Sequence, residues 1–175
     1  MRVLVTGGVR SGKSRHAEAL LGDQRAVTYV APGPTTAEDP DPDWAARIAA
    51  HQGRRPATWT TLETRDLAGA LRRPGPVLVD CLGTWLTGML NQEQAWDRSS
   101  QEVHDLVAAR LEDAAAALAQ SAGPVVLVTN EVGLGVVPAH RSGRLFRDLL
   151  GTVNQELAAV CDEVHLVVAG RVLRL

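Results

Sequence analysis

Short apolar runs alternate with longer amphipathic stretches along this chain. Arg2-Val3-Leu4-Val5 reads as a buried strand, and Arg15 to Leu21 reads as a helix. Ala26 to Ala31 is a second apolar strand, broken by Pro32-Gly33-Pro34. Residues 33 to 43 carry prolines, threonines and acids, which predicts an exposed, mobile loop. A short helix then runs from Trp44 to about Gln52, with Asp43 as the expected cap and Gly53 and Pro56 closing it. Thr58 to Leu62 is a weaker strand, expected near an edge, and Leu67 to Arg72 a short helix. Pro76 to Cys81 is almost wholly apolar and reads as a strand buried on both faces.

Thr84 to Leu90 has helical spacing, and Asn91 to Ser99 reads as a turn. Val103, Leu106, Val107, Leu111 and Leu118 share one stripe of a long helix from about Ser100 to Gln120. Pro124 to Thr129 is a fifth strand, followed by a turn-rich segment and a helix from about Ser142 to Val160. Glu163 to Ala169 and Arg171 to Leu175 flank a turn at Gly170, close enough to pair antiparallel. Apolar strands separated by helices predict an α/β fold: a mostly parallel sheet, helices on both faces and a short antiparallel C-terminal pair. No repeat or linker divides the chain, so residues 1–175 are expected to form one domain.

Composition adds exclusions. Hydrophobic residues make up 45% and charged residues 22% of 175, an ordinary globular balance. A net charge of -2 and an aromatic content of 3% favour neither nucleic acid nor an anionic membrane as partner. Cys81 and Cys161 show no metal or redox spacing and suit a reduced, cytoplasmic setting. No signal-peptide layout precedes the first strand, and no apolar run is long enough to cross a bilayer.

The chemistry concentrates first in Thr6-Gly7-Gly8-Val9-Arg10-Ser11-Gly12-Lys13-Ser14. Gly7, Gly12, Lys13 and Ser14 fit G-x-x-x-x-G-K-[ST] between a strand and a helix, a P-loop pattern. Glycines let successive N–H groups face one concavity, and the following helix adds its positive end. Lys13 then reaches the outer phosphates, and the Ser14 hydroxyl ligates Mg²⁺. A chance glycine-rich turn is the alternative, and the strand–loop–helix context argues against it. Asp80 ends an apolar strand, where an acid can hold the same Mg²⁺; the other reading is a helix cap ahead of Gly83-Thr84.

His51 shares a helix surface with Arg47 and Arg54 at spacings of four and three. A neutral imidazole is a competent nucleophile toward phosphorus, and flanking guanidinium groups can hold phosphate oxygens. Spacing alone nonetheless favours a basic, solvated helix end. Asn130-Glu131 sits at the carboxyl end of the fifth strand, where open α/β sheets bind ligands, or is a polar turn. Arg141, Arg144, Arg147 and Asp148 form either a solvated salt-bridged face or part of an anion site. His16 is open to either reading, while His104, His140 and His165 lack metal-ligand spacing and read as structural.

Three stretches together resemble one family. They are Gly7 to Glu18, then Arg47-Ile48-x-x-His51-Gln52-x-x-Arg55-Pro56-x-x-Trp59-x-Thr61-x-Glu63, and Val128 to Pro138 followed by Phe146-Arg147-Asp148 and Asn154-Gln155. The family is the bifunctional adenosylcobinamide kinase / adenosylcobinamide-phosphate guanylyltransferase of cobalamin biosynthesis, and the likeness covers nearly the whole chain. It implies a RecA-like P-loop NTPase fold and a homotrimer. It implies phosphorylation of the aminopropanol hydroxyl of adenosylcobinamide by ATP or GTP. GMP transfer from GTP to adenosylcobinamide phosphate follows, through a GMP-histidine intermediate, and His51 matches that histidine.

Residues matching the family's nucleotide contacts are Gly7, Gly8, Val9, Arg10, Ser11, Gly12, Lys13 and Ser14, with Ala31, Pro32 and Gly33 after the second strand. Gln52, Gly53, Arg54, Arg55, Glu63 and Asp80 complete the set. Mg²⁺ is expected on Ser14 and Asp80. The loop after the second strand departs from the family in being proline-rich and longer, and Asp80 has a shorter reach than Glu. The helix bearing His51 is expected to swing toward the α-phosphate when GTP binds. The rival readings are a chain that keeps only the guanylyltransferase step, another small-molecule P-loop kinase, and a RecA-like ATPase with a macromolecular partner.

Overall fold

The computed structural model describes all 175 residues. Seven strands form one sheet: β1 (Arg2–Gly7), β2 (Thr28–Ala31), β3 (Thr60–Glu63), β4 (Val77–Asp80), β5 (Val125–Val128), β6 (Glu163–Val168) and β7 (Arg171–Arg174). Their order is β3-β2-β4-β5-β1-β6-β7. All pairings are parallel except β6 with β7. β3 occupies an edge, as its weaker pattern predicts. The strand bearing the P-loop, β1, is separated from the strand bearing Asp80, β4, by β5.

Six helices connect the strands: α1 (Lys13–Leu20), α2 (Pro42–Arg54), α3 (Leu67–Leu71), α4 (Leu82–Gln92), α5 (Ser100–Ala119) and α6 (Arg141–Ala158). Alternate strand residues feed two cores. Leu4, Val79 and Leu127 pack beneath α3 to α6, with Trp85, Leu86 and Leu149. Val5, Leu78 and Val128 point the other way and pack with Ala17 and Leu21 of the first helical segment. The mostly parallel sheet, covered on both faces, is the fold that the apolar pattern predicts. No helix is long and apolar enough to cross a membrane.

Several details differ from the sequence reading, and α2 runs through Gly53 to Arg54 instead of closing at Gly53. Helix α2 starts at Pro42, and its cap is Asp41 rather than Asp43; the Asp41 carboxylate accepts from the Asp43 N–H at 2.9 Å. Pro42 fits there because its ring presets a helical φ and its missing N–H would be unpaired at that position anyway. Helix α4 extends the Thr84–Leu90 stretch at both ends, from Leu82 to Gln92. The acidic loop is exposed in places but tethered. Arg65 donates two hydrogen bonds of 2.9 Å to Glu38, and the Trp44 indole N–H donates to the Pro34 carbonyl at 2.8 Å.

Two predictions follow from this packing. Leu127 is fully buried in a central strand. Leu127→Ala should destabilise the fold by about 3 kcal/mol in urea unfolding, because the close-packed surroundings cannot collapse around the lost methyl groups. Arg2 joins the start of β1 to Asp162, ahead of β6, at 2.7 Å, and its hydrogen bonds hold the Asp162 carboxyl down at about 2. A depressed carboxyl stabilises the fold above its unfolded value of about 4 and loses that contribution as pH falls through the folded value. Thermal melts of Asp162→Asn should therefore show a lower Tm at neutral pH and a flatter fall than wild type between about pH 4 and 2.

Candidate active site

Parallel strands end on one side of the sheet, and their last residues meet there. Ala31 pairs with Glu63, and Asp80 with Val128, which is also level with Val5 of the P-loop strand. The crevice outside these carboxyl ends is where open α/β sheets bind ligands. A cavity of about 340 Å³ opens at this position.

The P-loop forms one wall. Gly12 caps α1 at φ +96°, a conformation that favours glycine. A Cβ on Gly7 would lie 2.4 Å from the Val167 carbonyl oxygen, so only glycine lets β1 leave the sheet here. Arg10 takes φ 57°, an unusual choice for a residue with a side chain. Lys13 is buried, and its ammonium donates to the Gly8 carbonyl at 3.0 Å. Burial pulls its pKa down, against the attraction of nearby Asp80.

Asp80 lies at the centre. Its side chain is 9% exposed. Burial pushes its pKa up, but hydrogen bonds with His51, Ser14 and Tyr29 outweigh this and hold it below the usual carboxylate range. The Tyr29 hydroxyl donates to Asp80 Oδ2 at 3.0 Å, and His51 Nδ1 lies 3.5 Å from both that oxygen and the Tyr29 oxygen. Burial and the Asp80 charge drive the Tyr29 phenol pKa up, so it stays protonated.

The residues expected to contact nucleotide divide into two groups. Val9, Lys13, Ser14, Ala31 and Gly33 line the cavity, as do Gln52, Arg55, Glu63 and Asp80, with His51 among them. Gly7, Gly8, Arg10, Ser11 and Gly12 shape the P-loop without lining the cavity, and Pro32 and Gly53 do not line it either. Arg54 does not line it and pairs with Glu18 of α1 at 3.1 Å. Arg47, seven residues before it on the same helical surface, does line the cavity. The His51 imidazole lines this cavity together with Lys13 and Ser14.

Arg55 anchors the end of α2. It donates to the His51 carbonyl at 3.0 Å and to Thr61 at 2.9 Å, and its guanidinium stacks 3.8 Å from the centre of the Tyr29 ring. Asn130 and Glu131 line the opposite wall. Asn154 of α6 fixes that turn by donating to the Asn130 carbonyl at 3.1 Å. The arginines of α6 donate to main-chain carbonyls rather than to carboxylates. Arg147 donates to the carbonyls of Gly133 and Gly135, Arg144 to those of Pro138 and Ala139, and Arg141 to those of Trp96 and Arg98. They staple loops to the helix. His16 Nε2 lies 2.9 Å from Nδ1 of buried His165, whose other nitrogen meets Glu163 at 2.8 Å.

Tyr29, Trp44 and Thr84 also line the cavity and were not singled out by the sequence. Tyr29 is the only tyrosine in the chain, a polar-tipped residue in a largely apolar strand. That is the one signal that marks it.

The donors suit a small hard cation. Ser14 and Asp80 offer a hydroxyl and a carboxylate that line the same cavity. No group of three or more His, Cys, Asp or Glu forms a metal cage.

The family model for cobinamide kinase / cobinamide phosphate guanyltransferase matches residues 3–175. The bifunctional adenosylcobalamin biosynthesis proteins CobU of Salmonella typhimurium and of Escherichia coli are each 44% identical to it, with 97% of both chains covered. CobP of Pseudomonas aeruginosa, with the same description, is 41% identical over 97% of this chain and 94% of its own. The chain belongs to the cobinamide kinase / cobinamide phosphate guanyltransferase family.

Proposed function

We propose that this protein phosphorylates adenosylcobinamide with ATP or GTP and then transfers GMP from GTP to adenosylcobinamide phosphate. The products of the second step are adenosylcobinamide-GDP and pyrophosphate. The observation that carries this reading is that His51 lies in one cavity with Lys13, Ser14 and Asp80. A plain P-loop kinase has no use for that imidazole.

In the kinase step, the aminopropanol hydroxyl attacks the γ-phosphorus and the nucleoside diphosphate leaves. The P-loop amides and Lys13 hold the β- and γ-phosphates and stabilise charge developing on them. In the transfer step, His51 attacks the α-phosphorus of GTP and pyrophosphate leaves, giving the GMP-histidine intermediate. The acceptor's phosphate oxygen then takes GMP from the imidazole. Both steps need one triphosphate gripped in one place, so a single cavity serves both. Ser14 and Asp80 would hold Mg²⁺, which would supply charge neutralisation at the phosphates. Glu63 at the end of β3 suits the guanine edge or a ribose hydroxyl as a hydrogen-bond acceptor. Arg47 and Arg55 are the cationic groups on the α2 side of the cavity. We place both activities in one cytoplasmic domain that assembles as a homotrimer.

The test is covalent labelling. With Mg²⁺ and GTP labelled on the α-phosphate, wild type should retain label that acid releases and alkali does not. His51→Ala should retain none. The same variant should lose transfer to adenosylcobinamide phosphate by at least about a thousandfold, the scale expected when a covalent nucleophile is removed. Absence of label on wild type would leave a simple kinase as the reading.

A further inference from the structure

His51 has two ring nitrogens, and only one can attack phosphorus productively. We propose that Asp80 and Tyr29 hold the Nδ1 edge of His51 so that GMP is carried on Nε2, with Tyr29 as a positioning residue for guanylyl transfer. This rests on the guanylyltransferase reading above.

The argument is a count of hydrogen atoms. Tyr29 has one hydroxyl hydrogen. It points to Asp80 Oδ2 at 3.0 Å, a charge-assisted bond and the shorter of its two contacts. Its oxygen therefore faces His51 Nδ1, 3.5 Å away, as an acceptor. Asp80 Oδ2 lies equally far from the same nitrogen and, as an ionised carboxylate, also only accepts. Two acceptors face Nδ1, so Nδ1 carries hydrogen. In the neutral ring the lone pair then sits on Nε2. Arg55 stiffens the arrangement from behind. It holds the His51 main-chain carbonyl at 3.0 Å and stacks on the Tyr29 ring. A histidine oriented by a hydrogen-bonded acid is the arrangement that activates nucleophiles in unrelated enzymes.

The steps balance on this assignment. The Nε2 lone pair forms the N–P bond while the bond from the α-phosphorus to its bridging oxygen breaks. That electron pair leaves with pyrophosphate. Nδ1 keeps its hydrogen, so the ring becomes an imidazolium beside the Asp80 carboxylate. A phosphate oxygen of the acceptor next attacks the phosphorus, the N–P bond breaks, and the pair returns to Nε2. No proton enters or leaves at the histidine in either step. The imidazolium is also the better leaving group for the second step, so the acid that orients the ring also prepares its departure.

The test is the linkage itself. The whole protein is guanylylated with GTP and Mg²⁺, digested at alkaline pH, and the histidine adduct examined by phosphorus–proton correlation NMR. Phosphorus on Nε2 couples to both ring C–H protons, and phosphorus on Nδ1 to one. Wild type should show the Nε2 pattern alone. In Tyr29→Phe, which keeps the ring beneath Arg55, adduct formation should slow about tenfold, the loss expected for one hydrogen bond to a charged group. A fraction of that adduct should move to Nδ1. Wild-type GMP on Nδ1 would overturn the assignment and leave the guanylyltransferase reading standing. A Tyr29→Phe enzyme with wild-type rate and linkage would overturn the role of Tyr29. No adduct on any histidine would remove this inference together with the reading beneath it. The wild-type linkage decides the nitrogen even if the variant does not fold.

Discussion

A carboxylate taken out of water must be matched by partners, and Asp80 is matched by groups from three other elements. Ser14 comes from α1, Tyr29 from β2 and His51 from α2. None of these pairings is local in sequence. Each exists because β4 delivers its last residue to the level where the P-loop begins and β2 ends. Losing one partner would leave a buried charge short of hydrogen bonds, which costs more than the lost bond alone. The acid therefore specifies the geometry of the cavity as much as it contributes to binding. The P-loop, β2 and α2 converge on one side chain.

The parts of this structure legible from sequence are those governed by periodicity or by a compact motif. Val77-Leu78-Val79 and Val125-Val126-Leu127-Val128 are too apolar to be anything but buried elements, and their length makes them strands. The P-loop is legible because its chemistry needs consecutive residues. Tyr29 is not, because its apolar ring fits the strand pattern and its acceptor lies 51 positions away. Arg54 sits at the right helical spacing from His51, yet Glu18 on α1 draws it off, and no spacing rule records that acid. The arginines of α6 mislead for a related reason. Their acceptors are main-chain carbonyls of loops, which every sequence possesses and none advertises. Asp41 was missed as the cap because the apolar stripe of α2 begins at Trp44, three residues after the helix is already committed.

The helices are held in two physically different ways. Helices α5 and α6 contribute Val107, Leu111, Leu149 and Val153 to the larger core, and displacing either would expose that surface. Helix α2 contains no buried residue. Its attachments are polar: Arg54 to Glu18, Arg55 to Thr61 and the Tyr29 face, Trp44 to the Pro34 carbonyl. Bonds of this kind contribute about 1 kcal/mol each, since water replaces them when they open. Elements with few apolar contacts and exposed hydrogen bonds open locally at a small fraction of the global unfolding free energy. The proposed nucleophile, His51, therefore stands on the least firmly held helix of the fold, while the P-loop follows an interior strand of the sheet. That division suits a site that must present one triphosphate to two different attacking groups.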